Sequence, residues 1–178
     1  MKNQAIFGYG SLINLESLKA TVPNAYNIRP AYIKGFKREF CLWDSVGWTE
    51  TNLDLAGEPM CAVDIHLSDN HEARVNGVVF SVPDADLKRL LIREENYKLI
   101  ETPFYDFKND QELGTCRVFS ANKHNGTYDF KGAAQARYLQ ICIDSSRQYG
   151  ERFYSEFLNT TYINDKLLAA MPELLARS

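Results

Sequence analysis

The chain has 178 residues, 45% of them hydrophobic and 24% charged, which is enough for one sizeable core and too apolar for a disordered chain. Its 20 Lys and Arg against 23 Asp and Glu leave a formal net charge of −3, which argues against nucleic acid as the main partner. No apolar run approaches the roughly 20 residues of a membrane span, and the N-terminus lacks the features of a signal peptide, so no membrane association is expected.

Cys41, Cys61, Cys116 and Cys142 are widely scattered, with no C-x-x-C pair. They read as reduced core residues of a cytoplasmic protein. His66, His71 and His124 have no ligand-like spacing, so neither a metal nor a cofactor is expected.

In chain order, the first feature is Ile6-Phe7-Gly8-Tyr9-Gly10-Ser11-Leu12-Ile13. The apolar pair reads as a short strand, and the two glycines make a tight loop whose amide groups are available to an oxyanion or a carboxylate. Position 13 is Ile, so the third glycine of a dinucleotide fingerprint is missing. Ser11 lacks the flanking glycines of a nucleophile elbow and reads as a hydrogen-bonding loop residue. Asn14 is an N-cap for a short helix.

Ala31 to Trp43 is rich in Tyr, Ile, Phe and Trp and reads as one strand with a bend at Gly35. Lys37-Arg38 within it reads as a solvated strand face. Asp44 to Pro59, with Trp48 inside it, reads as a long loop of the kind that often serves as a lid or a binding loop. Met60 to Leu67 and Arg74 to Val82 read as a hairpin joined by a polar turn, with His66 and His71 at its exposed end.

Pro83-Asp84-Ala85-Asp86 starts a helix whose core face is Leu87, Leu90 and Leu91. It runs into Arg93-Glu94-Glu95 and stops near Asn96. Two further strands, Tyr97 to Phe107 and Thr115 to Ser120, precede a polar loop. From Gly132 the pattern turns helical: Ala136, Leu139, Ile143, Arg147 and Gly150 mark one helix of about five turns, Phe153, Phe157 and Leu158 a second, and Leu167–Leu175 a short third. The whole reads as one α+β domain over 1–178. It is built on a mainly antiparallel curled sheet or small barrel with flanking helices, and 132–178 is a C-terminal helical segment.

Taken alone, Arg93-Glu94-Glu95 is a solvated charge run. A carboxylate at the C-terminal end of a helix is nonetheless disfavoured in its charged form by the macrodipole, and further by burial. Such a group suits proton transfer near neutral pH.

A terminal strand followed by Phe7-Gly8-Tyr9-Gly10-Ser11-Leu12-Ile13 resembles the gamma-glutamylcyclotransferase superfamily, especially its ChaC-like branch. Gly77-Val78-Val79-Phe80-Ser81-Val82-Pro83, a leucine helix, Arg93-Glu94 and then Tyr97 resemble that branch's second block. Lys37-Arg38-Glu39-Phe40 and Arg137-Tyr138-Leu139 are weaker matches. Between Glu94 and Tyr97 the chain departs from the pattern. Glu95-Asn96 stands where the glutathione-acting branch has two glycines, in a segment one residue shorter, which leaves the amine half of the substrate open.

The resemblance implies an enzyme that cyclises a small gamma-glutamyl substrate to 5-oxoproline without metal or nucleotide. It implies Glu94, rather than its neighbour Glu95, as general acid and base. The amides of Tyr9, Gly10, Ser11 and Leu12 are implied as the cradle for the substrate's carboxylate or oxyanion. Tyr97 and Tyr138 are implied as hydrogen-bond partners of substrate or glutamate, although each reads equally well as an aromatic at the edge of the core. The rival reading is a non-catalytic module on the same fold that binds a small metabolite or a protein.

Overall fold

Gly35 passes the chain from one sheet to another. The computed structural model describes residues 4–45, 57–94 and 97–176. In it, the single bent strand expected over Ala31–Trp43 is two strands, β2 (Tyr26–Lys34) and β3 (Phe36–Ser45). Gly35 stands between them at φ +78°, in the left-handed region that a side chain disfavours. Its N–H donates to Ala73 O and its carbonyl accepts from Ser68 N–H, so the crossing point is tied to the polar turn over 68–73.

The other described elements are β1 (Gln4–Gly8), a 3₁₀ turn (Ser11–Ile13), α1 (Leu15–Thr21), β4 (Pro59–Leu67), β5 (Arg74–Val82), α2 (Asp84–Arg93), β6 (Tyr97–Asp106) and β7 (Glu112–Ala121). They are followed by α3 (Ala133–Arg147), α4 (Glu151–Asn159), β8 (Thr161–Ile163), β9 (Lys166–Leu167), a 3₁₀ turn (Leu168–Ala170) and α5 (Pro172–Leu175). Five strands close a barrel in the order β1-β5-β2-β6-β7. Its seam is the parallel pairing of β1 with β7, Ile6 opposite Arg117 and Phe7 opposite Val118. A second sheet has the order β4-β3-β8-β9. The expected α+β domain on a small barrel is therefore the fold observed.

The expected hairpin of β4 with β5 does not form. β4 pairs with β3, and β5 pairs with β1 and β2. The polar turn between them links two layers instead. The unbroken buried run from Val75 to Phe80 suits a strand covered on both faces.

On α2, Leu90 is fully buried but Leu91 is exposed, so the core face is narrower than the leucine spacing suggests. α4 lies where expected, while α3 ends at Arg147, short of the expected Gly150, which stands outside it at φ +92°. The short third helix expected over Leu167–Leu175 is a 3₁₀ turn followed by the four-residue α5, and ahead of it stands the unexpected β8–β9 hairpin, turned by Asn164 and Asp165 at φ +49° and +63°. Two successive left-handed residues are the signature of a type I′ turn, for which Asn and Asp are well suited.

Cys41, Cys61, Cys116 and Cys142 are all buried, and none of them is in a disulfide among the described residues. Among the described residues, no helix is long and apolar enough to cross a membrane.

Candidate active site

Ile6 and Phe7 are buried in the barrel and fix the end of β1, after which the glycine loop leaves the sheet. Two close approaches leave room only for glycine, one in β5 against the loop and one in the loop itself. A Cβ on Gly77, in β5, would fall on the Gly8 carbonyl oxygen and lie 2.7 Å from Phe7 Cζ. A Cβ on Gly10 would lie 2.6 Å from Val63 Cγ1 and 3.3 Å from the Tyr138 hydroxyl. Barrel, second sheet and α3 thus meet at this loop with no space for side chains at either position.

The loop runs into the Ser11–Ile13 turn, whose first internal hydrogen bond is Ile13 N–H to Gly10 O, 3.0 Å. The N–H groups of Ser11 and Leu12 precede it and are the turn's end donors. Asn14 then caps α1 by accepting from Ser17 N–H at 3.0 Å, as its position predicts.

Arg38 corrects the reading of Lys37-Arg38 as a solvated face. Its side chain is fully buried and bonds only neutral oxygens. Nε donates to Thr161 Oγ1 (2.8 Å). Nη1 donates to Tyr9 O (3.3 Å) and to Asn76 O. Nη2 donates to Asn76 Oδ1 (2.8 Å), Phe157 O (3.3 Å) and Thr160 Oγ1 (2.9 Å). The guanidinium also lies 4.1 Å from the centre of the Phe157 ring. Burial pushes its pKa down to about 9, which leaves it a cation at neutral pH. The last turn of α4 supplies the negative end of a helix dipole to it. Lys37, by contrast, is paired with Glu39 and Asp165 near the surface.

The sequence-predicted residues converge on one cavity of about 320 Å³, within the usual size range of small-ligand sites. Gly8, Tyr9, Gly10, Ser11 and Leu12 form one wall. Glu94, Tyr97 and Tyr138 line it as well, and Leu42, Trp43, Ala62 and Val63 form the wall from the second sheet.

Glu94 is the C-cap of α2; its N–H donates to Leu90 O (3.0 Å) and its carbonyl accepts from Tyr97 N–H (2.9 Å). This backbone hydrogen bond ties Tyr97 to Glu94. The buried Tyr138 hydroxyl accepts from Val63 N–H at 3.3 Å. Glu95 and Asn96 lie outside the described residues, as do 46–56 of the expected binding loop, Trp48 included.

Tyr9 contributes more than its amide. Its buried hydroxyl sits 2.8 Å from Asp64 Oδ1 and 2.7 Å from Phe119 O, two acceptors for one proton. Burial first, then the Asp64 carboxylate, with smaller effects of Tyr97 and Glu94, push its pKa well above the ordinary tyrosine value. Burial does the same to Tyr138. Both are neutral hydrogen-bonding groups at physiological pH.

Sequence reasoning missed Asp64. It is fully buried on β4 and also accepts from Ala121 N–H (3.0 Å) and contacts His124 Nε2 (2.7 Å). An aspartate inside an otherwise apolar strand run was the available signal.

A family model for ChaC-like proteins matches residues 5–153. Among solved structures, a gamma-glutamyl cyclotransferase is 17% identical, with a TM-score of 0.64 over 99% of this chain and 100% of that one. An uncharacterized protein from Homo sapiens is 17% identical, with a TM-score of 0.65 over 99% of each chain. A gamma glutamyl cyclotransferase specific to glutathione, from yeast, is 15% identical, with a TM-score of 0.51 over 99% of this chain and 88% of that one. At these identities the likeness is one of fold. No curated protein matches the chain.

Proposed function

The chain belongs to the ChaC-like family of the gamma-glutamylcyclotransferase-like superfamily, and on that premise we propose that it cyclises a gamma-glutamyl group to 5-oxoproline with release of an amine. The observation that carries this reading is that Glu94 and the Tyr9–Leu12 loop line one cavity.

A gamma-glutamyl substrate brings its own nucleophile. Its α-amine attacks the γ-carbonyl carbon, a new C–N bond closes a five-membered ring, and the original amide C–N bond breaks. Because the attack is intramolecular, holding the chain folded supplies much of the rate. The α-amine attacks as the neutral form, its first proton having left to solvent, and loses one more proton as the ring closes, while the leaving nitrogen needs one. Glu94 takes that ring-closure proton and delivers it to the leaving nitrogen, so the proton count of the ring-closing step balances within one side chain.

The amides of Tyr9, Gly10, Ser11 and Leu12 hold the substrate's carboxylate or the developing oxyanion. Tyr97 and Tyr138 donate hydrogen bonds to substrate or to Glu94. The buried cysteines, none of them in a disulfide among the described residues, fit a reducing, cytoplasmic setting.

The test is 5-oxoproline release by the purified protein from gamma-glutamyl amino acids, gamma-glutamyl amines and glutathione in parallel. Turnover that Glu94→Gln removes is expected. Binding without turnover, indifferent to Glu94→Gln, would assign the cavity to a non-catalytic binding module instead.

A further inference from the structure

One face of the β3–β4 pair carries chemistry that the cyclisation does not use. Glu39 and Asp64 are register partners across that pair, and His66 is opposite Lys37 two residues along. Cys41 is the extra residue of a bulge, since the register passes from Phe40 opposite Val63 directly to Leu42 opposite Ala62. Bulges re-aim a side chain out of the strand ladder. The segment after β7 brings in His124, whose ring centre lies 4.9 Å from that of His66.

The donor atoms of Cys41, Asp64 and His124 all lie within 4.8 Å of one another, and so do those of Glu39, Cys41 and His66. The Cys41 sulfur belongs to both sets. These positions are far apart in the sequence, which is why their spacing there gave no metal signature.

We propose that Cys41, Asp64 and His124, with His66 as the fourth donor, bind a borderline-soft divalent transition-metal ion of the Zn²⁺ class. One sulfur, two imidazoles and one carboxylate form a donor set that such ions favour. The charges also balance: a thiolate and a carboxylate neutralise a dication, and the thiol proton leaves to solvent on binding. Bond lengths of about 2.0–2.3 Å require donor atoms roughly 3.3–3.8 Å apart, so any pair at the 4.8 Å limit closes by about 1.0–1.5 Å on binding.

The two imidazoles supply that movement. Their side chains are 32% and 28% exposed, which also gives an ion a way in, while Cys41 and Asp64 form a buried floor. The surroundings resemble an outer shell. Tyr9 Oη and Ala121 N–H hold Asp64. Glu39, itself paired with Lys37, contacts His66 Nε2 at 3.1 Å. Such partners orient metal ligands.

The test is a Co²⁺ titration of the chelator-treated full chain in a phosphine reductant, followed by competition with Zn²⁺. A thiolate-to-Co²⁺ charge-transfer band saturating at one equivalent is expected. Cys41→Ser abolishes the band and weakens Zn²⁺ at least about tenfold, and His124→Asn and His66→Asn each weaken it by about 10–100-fold. Cys116→Ser and Glu94→Gln leave binding intact, so this site stands or falls separately from the proposed reaction. Absence of the band at excess Co²⁺, its persistence in Cys41→Ser, or unchanged Zn²⁺ affinity in both histidine variants overturns the proposal. The two histidine variants decide the matter even where Cys41→Ser fails to fold.

Discussion

The Arg38 guanidinium donates to the carbonyl oxygen of Tyr9 at 3.3 Å from a fully buried position. The same side chain bonds Asn76 on β5, the last turn of α4 and Thr161 on β8. It joins the glycine loop to the far side of the core. Arg38→Lys keeps the charge but loses the planar fork, and so strands several buried acceptors. We expect a loss of about 3 kcal/mol or more, read as a lower urea midpoint. Because the Tyr9 carbonyl loses its anchor, KM should rise in the fraction that folds.

Glu94→Gln separates chemistry from folding. The amide keeps the shape of the carboxylate but has no proton to exchange, so 5-oxoproline release should fall by about 10²–10⁴. Stability should hold or rise by a few tenths of a kcal/mol, because a negative charge leaves the C-terminal end of α2. A large drop in thermal midpoint together with lost activity would make Glu94 a structural residue instead.

The two close approaches at the loop respond differently to an added methyl group. Gly77→Ala meets backbone and a buried ring, so a destabilisation of about 1–3 kcal/mol or more is expected. Gly10→Ala meets the end of the Val63 side chain. Paired with Val63→Ala it should recover part of the lost stability, giving a coupling of about 0.5 kcal/mol or more in a double-mutant cycle.

Alkaline pH should unfold the protein through its buried thiols. Burial pushes the Cys61 and Cys116 pKa values up to about 12. In the unfolded chain these thiols lose their protons near the ordinary value, so between about 9 and 12 the folded state binds more protons than the unfolded one. Stability is therefore full below pH 9 and falls as pH rises, with a slope of about 1.4 kcal/mol per pH unit for each group. Cys116→Ser retains a donor for the Thr102 carbonyl that Sγ contacts. It should flatten the decline by one such increment, measured as urea midpoints across that range.

Much of the candidate site's framework was legible because its signals are local. The glycine loop, the Asn14 cap and the acidic start of α2 are each readable within a few residues, whereas Glu94 stood out from its charge run only through the family resemblance. Partnership was not. Gly35 marks a bend, but nothing nearby says that the strands on either side enter different sheets. The burial of Arg38 depends on acceptors from positions 76, 157, 160 and 161, which only the closed fold brings together. The β8–β9 hairpin escaped notice because its strands are three and two residues long, too short for alternation to show, although Asn164-Asp165 marks its turn. Leu91 illustrates the converse: helical spacing places a leucine near the core face without saying how wide that face is.

The change of sheet at Gly35 has a consequence for how this cavity can diversify. One wall, with the loop and Glu94, belongs to the barrel side, while Leu42, Trp43, Ala62 and Val63 belong to a separate sheet. The groups proposed to act on the gamma-glutamyl unit are thus carried by different framework from the apolar surface opposite. Substitutions of Leu42 or Trp43 on β3 can reshape what the cavity accepts, whereas changes at Arg38, Val63 or Asp64 also reach the glycine loop that they contact. The apolar wall is thus open to variation at one end and tied to the loop at the other.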